Sequence, residues 1–322
     1  LVLAAVTGLA VGAAGRSLWG AMADLAAGRD ISLRDQIVLW DIRMPRVLMG
    51  CLVGAALAVS GAVLQGLFRN PLADPGIVGV SAGASLGAVV AIVLGAALPF
   101  SGPWLVPVLA FAGAWCATLL LYRVATRRGR TSVATMLLAG IALTALVMAL
   151  TGLLVYLADD TQLREFTFWN LGSLAGATWS KLAAAAPLIG LPLILSPLLA
   201  KGLNALALGE AAAGHIGIPV QQLTSGAILI VAAATGAAVA VSGGIGFVGI
   251  VVPHLLRLMS GPDHRYLLPN TALLGAVLLL MADLISRTII APAELPIGII
   301  TALIGGPFFL YVLLRQRGLV DL

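Results

Sequence analysis

Charge is the scarcest property of this chain. Asp, Glu, Lys and Arg make up 10% of its 322 residues, against about 25% in an ordinary soluble domain. Hydrophobic residues make up 61%, and the mean hydropathy is +1.09. A soluble fold of this length has no interior large enough for so much apolar side chain, so a soluble one- or two-domain enzyme is excluded. Cysteine is limited to Cys51 and Cys116, both inside apolar runs. That excludes a disulfide framework and leaves two small core residues. The three histidines, His215, His254 and His264, join no Asp or Glu at metal-ligand spacing, so they read as structural or exposed residues. Lysine occurs only at Lys181 and Lys201. Neither ends a glycine-rich loop, so the chain has no Walker A phosphate cradle and any ATP-driven step needs another polypeptide. Acids within the apolar runs are nearly absent too. Asp283 is the best candidate, with Arg287 one turn later on the same helix face. A proton- or ion-coupled carrier working alone would keep several buried carboxylates. A membrane-bound enzyme would keep a polar catalytic cluster at the interface. Neither pattern is found. The sequence pI near 9.8 does not point to nucleic acid, because 18 basic residues stand beside 13 acids and most lie between apolar runs.

What the chain has in abundance is apolar runs. Runs free of Asp, Glu, Lys and Arg cover 1–15, 47–68, 75–122, 131–158, 182–200, 211–256, 266–282 and 295–314. A helix needs about 20 such residues to cross a bilayer. Pro99-Phe-Ser-Gly-Pro103 divides the run 75–122 by a turn. The run 211–256 holds one full span, about 224–241, and a short glycine-broken one, about 246–258. The expected fold is an all-α polytopic membrane protein of ten transmembrane helices, with 1–322 as one transmembrane domain. The first run is short and begins without Met, so residues are expected to precede it. It does not read as a signal peptide, because no cleavage site with a soluble domain follows. Ten spans put both chain ends on one side. Arg123, Arg127, Arg128 and Arg130 crowd one short loop, and Arg315 and Arg317 follow the last span. The positive-inside rule makes that side cytoplasmic. The opposite side has its own basic segment, with Arg16, Arg29, Arg34, Arg43 and Arg46.

Two interfacial segments stand out. The outer one, Trp40-Asp-Ile-Arg-Met-Pro-Arg46, places Arg43 and Arg46 three apart, on one face of a helix. They read either as lipid-facing snorkels or as a basic dock for an acidic partner. The inner one, residues 203–219, is apolar but broken by Gly209, Gly214 and Gly217. It fits two short helices with a sharp turn, lying on lipid or filling a groove of a partner. The 38 glycines suit close helix packing. One faint self-similarity, Gly76-Ile-Val-Gly-Val and Gly246-Phe-Val-Gly-Ile, lies five helices apart, as internal repeats of transporters do.

Longer motifs carry a resemblance. Arg43-Met-Pro-Arg46, then Gly54-Ala-Ala-Leu-Ala-Val-Ser-Gly-Ala-Val-Leu-Gln65, then Asn70-Pro-Leu-Ala-Asp-Pro-Gly76 resemble the signature of the iron-siderophore, haem and cobalamin ABC importer permeases, the FecCD type. Leu208-Gly-Glu210, the stretch from Gly244 to Arg257, Glu294-Leu-Pro-Ile-Gly298 and Gly305-Gly-Pro-Phe308 continue it in order. The resemblance implies a type II importer permease in the bacterial inner membrane. It implies a homodimer, two cytoplasmic ATPase subunits that hold ATP and Mg, and a periplasmic binding protein. No cofactor is expected on this chain. The positions matching the family's binding-protein dock are Arg43, Arg46 and Arg287. Those matching its ATPase coupling helices are Leu206, Leu208, Gly209, Glu210, Ala213, Gly217 and Ile218. The fifth span is implied to line the central path, with Met136, Gly140, Thr144 and Met148 as candidate lining residues. Phe166–Leu174 and Gly209–Gly217 resemble the haem branch most, with ferric siderophore and cobalamin as the alternative cargoes.

Overall fold

The computed structural model describes residues 1–12, 18–28, 30–97, 102–127 and 130–320, with the backbone alone for 19, 23, 25, 26, 77, 78, 313 and 315–320. Arg16, Arg29, Arg128, residues 99–101 of the expected turn, and the side chains of Arg315 and Arg317 lie outside that description. The expected apolar runs become ten helices: α1 (Val2–Ala10), α2 (Met44–Phe68), α3 (Val80–Leu94), α4 (Leu105–Ala125), α5 (Val133–Leu157), α6 (Trp179–Leu206, one 3-10 turn included), α7 (Val220–Ser242), α8 (Val248–Ser260), α9 (His264–Ser286) and α10 (Ile297–Val320). Among the described residues, seven spans are long and apolar enough to cross a membrane; α1, α8 and α10 are the shorter apolar ones. The end of the bundle that holds Arg46 is termed outer here, after the charge distribution.

Local chemistry sets the helix ends. Ser132 caps α5 by accepting the Thr135 N–H, Thr178 caps α6 through Lys181, and Asp263 caps α9 through Arg265. Outside the expected spans, Asp160–Asn170 forms a surface helix closed by a capping box of Asp159 and Gln162. Leu18–Ala26 is a further helix, Leu33–Arg43 runs helically into α2, and an antiparallel pair stands at the inner end between α4 and α5, β1 (Thr126–Arg127) and β2 (Arg130–Thr131).

α2 is the central helix. In its most apolar window 83% of residues are buried, whereas α5 has only 17% buried and turns most of its surface outward. Glycine makes the central packing possible. A Cβ on Gly54 would fall 2.4 Å from the Gly275 carbonyl oxygen in α9, and one on Gly61 would fall 1.9 Å from that of Gly249 in α8. α3 and α4 approach in the same way through Gly83, Gly87 and Gly113.

The faint sequence repeat marks two matching breaks. After α2 the chain reverses at Arg69, φ +51°, and enters α3 through Gly79, φ +76°. After α7 it reverses at Gly243, φ +71°, and enters α8 through Phe247, φ +67°. One break lies at the inner end and the other at the outer end, so each long helix is followed by a short one that starts inside the bundle. Asp74, on the first break, caps the 3-10 turn Pro75–Val78 through the Gly76 N–H. Its Oδ2 lies 3.3 Å from where a Gly249 Cβ would sit, and Gly249 packs beside Leu57 and Gly61 in the middle of α2. A carboxyl group therefore reaches bundle mid-depth. Asp74 thus joins Asp283, the best candidate from the sequence, as an embedded acid, and a single carboxyl at this depth still makes no relay.

Candidate functional sites at the two membrane faces

At the outer face four charged side chains converge. Arg46 donates through Nε to both oxygens of Asp283, at 3.0 and 3.2 Å, and through Nη1 to Glu294 at 3.0 Å. Its Nη2 adds contacts of 2.8 Å to Asp283 and 3.0 Å to Glu294. Arg287, one turn after Asp283, lies 3.4 Å from the same carboxylate. The helix α1 closes the cluster. Its last carbonyls have no partner within the helix, and they accept from arginines: Gly8 from Arg287, Leu9 and Ala10 from Arg43. Cations at a helix C-terminus also suit its dipole.

The arginines expected to form a basic dock are buried here. Arg43, Arg46 and Arg287 are 4%, 6% and 4% exposed, and Asp283 is 2% exposed. Only Glu294, whose side chain is 35% exposed, reaches the rim. The three arginines are neither lipid-facing snorkels nor open docking groups in this conformation. They tie α1, α2 and α9 to the loop before α10. Sequence reading paired Asp283 with Arg287 correctly but missed Glu294, although it heads a recognisable motif. It also missed α1 as the arginines' acceptor.

At the inner face the segment 203–219 turns sharply, as expected, but only one of its two short helices is separate. Residues through Leu206 continue α6, and Glu210–His215 stands alone. Gly209 makes the turn with φ +103° and ψ 155°, a conformation open to little but glycine. Leu206 and Ala213 are buried anchors, at 2% and 0% exposure, while Ile218 packs partly against the same core. Leu208, Glu210 and Gly217 are exposed, and so is Ile216. The seven expected coupling positions thus divide into an anchoring set and a presenting set, with Gly209 as the hinge between them. Of the histidines, His215 is exposed at this face. His264 is 6% exposed and bonds Asn204 through Nδ1.

The α5 positions do not share one face. Met136 and Gly140 are buried against the chain's own core, Thr144 is half-buried, and Met148 is 67% exposed. Met136 and Gly140 are therefore packing residues here, and the outward face is carried by Leu138, Ile141 and Met148. The segment Phe166–Leu174 also has a packing role. The Trp169 carbonyl would meet a Cβ on Gly243 at 2.0 Å, and the Leu171 and Gly172 carbonyls accept from Gly298 and Ile297. Three of the recognised motifs thus meet in one backbone knot.

Comparison with known proteins agrees with this architecture. Residues 1–315 match the FecCD transport family. The hemin transport system permease protein HmuU of Yersinia pestis is 50% identical over 285 residues, covering 87% of this chain and 84% of that protein. The cobalamin import system permease protein BtuC of Halobacterium salinarum is 45% identical over 282 residues, 88% and 74% of the two chains. The vitamin B12 import system permease protein BtuC of Salmonella typhi is 43% identical over 293 residues, 91% and 88%. Among solved structures, an inward-facing metal-chelate type ABC transporter superposes with a TM-score of 0.86 at 35% identity, covering 98% of this chain and 96% of that one. The PsaBC complex of Streptococcus pneumoniae shares the fold at a TM-score of 0.60 and 16% identity, covering 86% and 93%. The chain belongs to the FecCD family: it is a multi-pass membrane permease of an ABC importer, without an ATPase domain in these residues, and it acts with ATPase and binding-protein partners.

Proposed function

We propose that this permease moves haem inward across the bacterial inner membrane, as a homodimer with two ATPase subunits that bind ATP and Mg and a periplasmic haem-binding protein. The observation that carries the cargo is the 50% identity to a hemin permease, above the 45% and 43% to cobalamin permeases. The Phe166–Leu174 segment supports it less, because that segment is occupied in packing. The outward apolar face of α5 suits a second copy of the chain across a central path. A path of that kind binds a bulky amphipathic cargo weakly enough to release it. Docking of the binding protein at Arg43, Arg46 and Arg287 requires its carboxylates to displace Glu294 and the α1 carbonyls, since all three arginines are engaged within the chain. The test offers haem, a ferric siderophore and cobalamin to proteoliposomes holding the full complex, with the cognate binding protein. ATP-dependent haem uptake that the other two do not compete away is expected. Uptake of a siderophore or cobalamin but not haem would overturn the cargo and leave the importer standing.

The inner segment supports ATPase docking through two exposed apolar side chains, Leu208 and Ile216, 74% and 64% exposed beside the buried anchors. Closure of the ATPases on ATP then pushes Glu210–His215. Gly209→Leu forces a side chain into a backbone region that costs roughly 1–3 kcal/mol. We expect the variant to retain less ATPase in a pull-down and to transport less. Gly190→Leu, in α6 away from the inner segment and with no neighbour for a Cβ, serves as the control. Equal retention and transport in both variants would remove Gly209 from the docking role.

A further inference from the structure

We propose that Gln221 is the positioning residue that carries motion of the inner segment to α5. The proposal rests on the ATPase-docking reading of that segment and adds the route by which a push at Glu210–His215 reaches the central path. Gln221 is the second residue of α7, and Ile216–Pro219 alone separate that helix from Glu210–His215. Its side chain spans to the β1–β2 pair. The amide oxygen accepts the Thr131 N–H at 3.0 Å. The amide nitrogen donates to the Thr131 hydroxyl at 2.9 Å and to the Tyr122 hydroxyl, at the end of α4, at 3.1 Å. A backbone N–H can only donate, so the atom facing it must be the oxygen and the amide orientation is fixed. Three of the four hydrogen bonds an amide side chain can make are used, two on Thr131 and one on Tyr122.

The surroundings lock this bracket at both ends. Tyr122 and Ser225 share a 2.6 Å hydrogen bond, and Ser225 donates back to the Gln221 carbonyl at 2.8 Å. Thr131 is held to Thr126 across the strand pair, hydroxyl to hydroxyl at 2.8 Å. The next residue, Ser132, caps α5. α5 buries only 17% of its most apolar window, and its inner end is held by Met136 in the core together with the bracket beside its cap.

A cleft of about 550 Å³ lies beside the bracket. Thr131, Leu206, Glu210, Ala211 and Gln221 are among its lining residues, with Arg130 on the strand side and Glu210 on the inner helix. The inner helix therefore has room to move toward the strands, while Gln221 keeps α7 and the strands together. A push narrows the cleft and shifts α7, Thr131 and the α5 cap as one body. Mere packing would need no such directed set of bonds between α4, the strand pair and α7.

The test uses the reconstituted permease–ATPase complex with Cys51 and Cys116 replaced by alanine. Spin labels at Arg130→Cys and, separately, Ala211→Cys read distances across the dimer with and without ATP and vanadate; both positions are exposed. In the wild type both distances shift. In Gln221→Leu, which keeps the bulk and removes all three bonds, ATPase retention in a pull-down and the Ala211 shift persist, and the Arg130 shift is lost. Haem transported per ATP falls by about fivefold or more, the worth of one net hydrogen bond. Gln221→Glu, which keeps the acceptor for the Thr131 N–H, falls between the two. An Arg130 label that still follows ATP in Gln221→Leu, or unchanged transport per ATP, would overturn the bracket. Reduced complex yield with unchanged coupling would assign Gln221 to folding alone and overturn it as well. A wild-type complex in which ATP moves neither label would overturn the docking reading itself, and the bracket with it.

Discussion

Gly61→Leu is expected to abolish recovery of a folded permease. A Cβ at this position would lie 1.9 Å from the Gly249 carbonyl oxygen, 2.5 Å from its carbon and 2.6 Å from its Cα, where ordinary contact begins at 3.4 Å. The obstacle is backbone, so no side-chain rotation relieves it. α2 and α8 would have to separate by more than an ångström, and the Gln65 amide would lose its 3.1 Å bond to the same carbonyl. Overpacking a core costs typically about 1–3 kcal/mol where side chains can give; against a rigid backbone on the central helix the loss should exceed that range. The check is the monodisperse fraction on size-exclusion chromatography in mild detergent, with the thermal midpoint of whatever elutes. Gly190→Leu, in α6 where a Cβ meets nothing within 4 Å, should behave as wild type. A monodisperse Gly61→Leu with an unshifted midpoint would mean that α2 and α8 do not pack this closely in the membrane.

The span pattern was legible because a bilayer demands length and the absence of charge, and both are read one residue at a time. The break at Gly209 was legible for a similar reason: glycine in an apolar stretch at a membrane face marks a turn. What escaped depended on distance along the chain or on angle around a helix. Arg46 meets Asp283 and Glu294 across 237 and 248 residues, and no local period announces such a pair. The three arginines look like surface charges in a basic segment. They are instead consumed by acids and by the carbonyls of a helix that begins the chain. The α5 candidates failed by geometry: spacing of four advances about 40° per step around a helix of 3.6 residues per turn, so Met136 and Met148 end about 120° apart. That drift carries the first into the core and the last into the open. Asp74 escaped because it stands just before the apolar run 75–122 and was read as lying outside the spans, although an Asp before Pro-Gly is a recognisable cap signal. Gln221 had no signal at all; its partners lie 90 and 99 residues away.

The outer cluster carries the second large effect. Arg46→Met removes the only described side chain that contacts both Asp283 and Glu294. Asp283 then keeps one cation, Arg287, at 3.4 Å, with its own side chain 2% exposed. Breaking a buried pair from one side typically costs about 3–5 kcal/mol, because the remaining charge stays desolvated. A loss in that range is expected in the unfolding free energy of the detergent-solubilised protein. Arg46→Lys should recover part of it, since an ammonium keeps the charge and gives up the planar fork that grips both carboxylates. Charge reversal to Glu is a poor test of docking, because it sets a third carboxylate beside Asp283 and Glu294 and destabilises the fold first. The informative design is a double-mutant cycle with Asp283→Asn. Once the carboxylate is neutral, losing Arg46 should matter less, with a coupling energy between about 0.5 and 3 kcal/mol. Binding-protein capture is then compared at a temperature where every variant is folded. Stability that falls together with capture places Arg46 in the frame that presents the outer face. Unchanged stability with capture lost would show that the arginine leaves its acids in the membrane and meets the binding protein directly, and the buried cluster would then be one state of a docking group that opens.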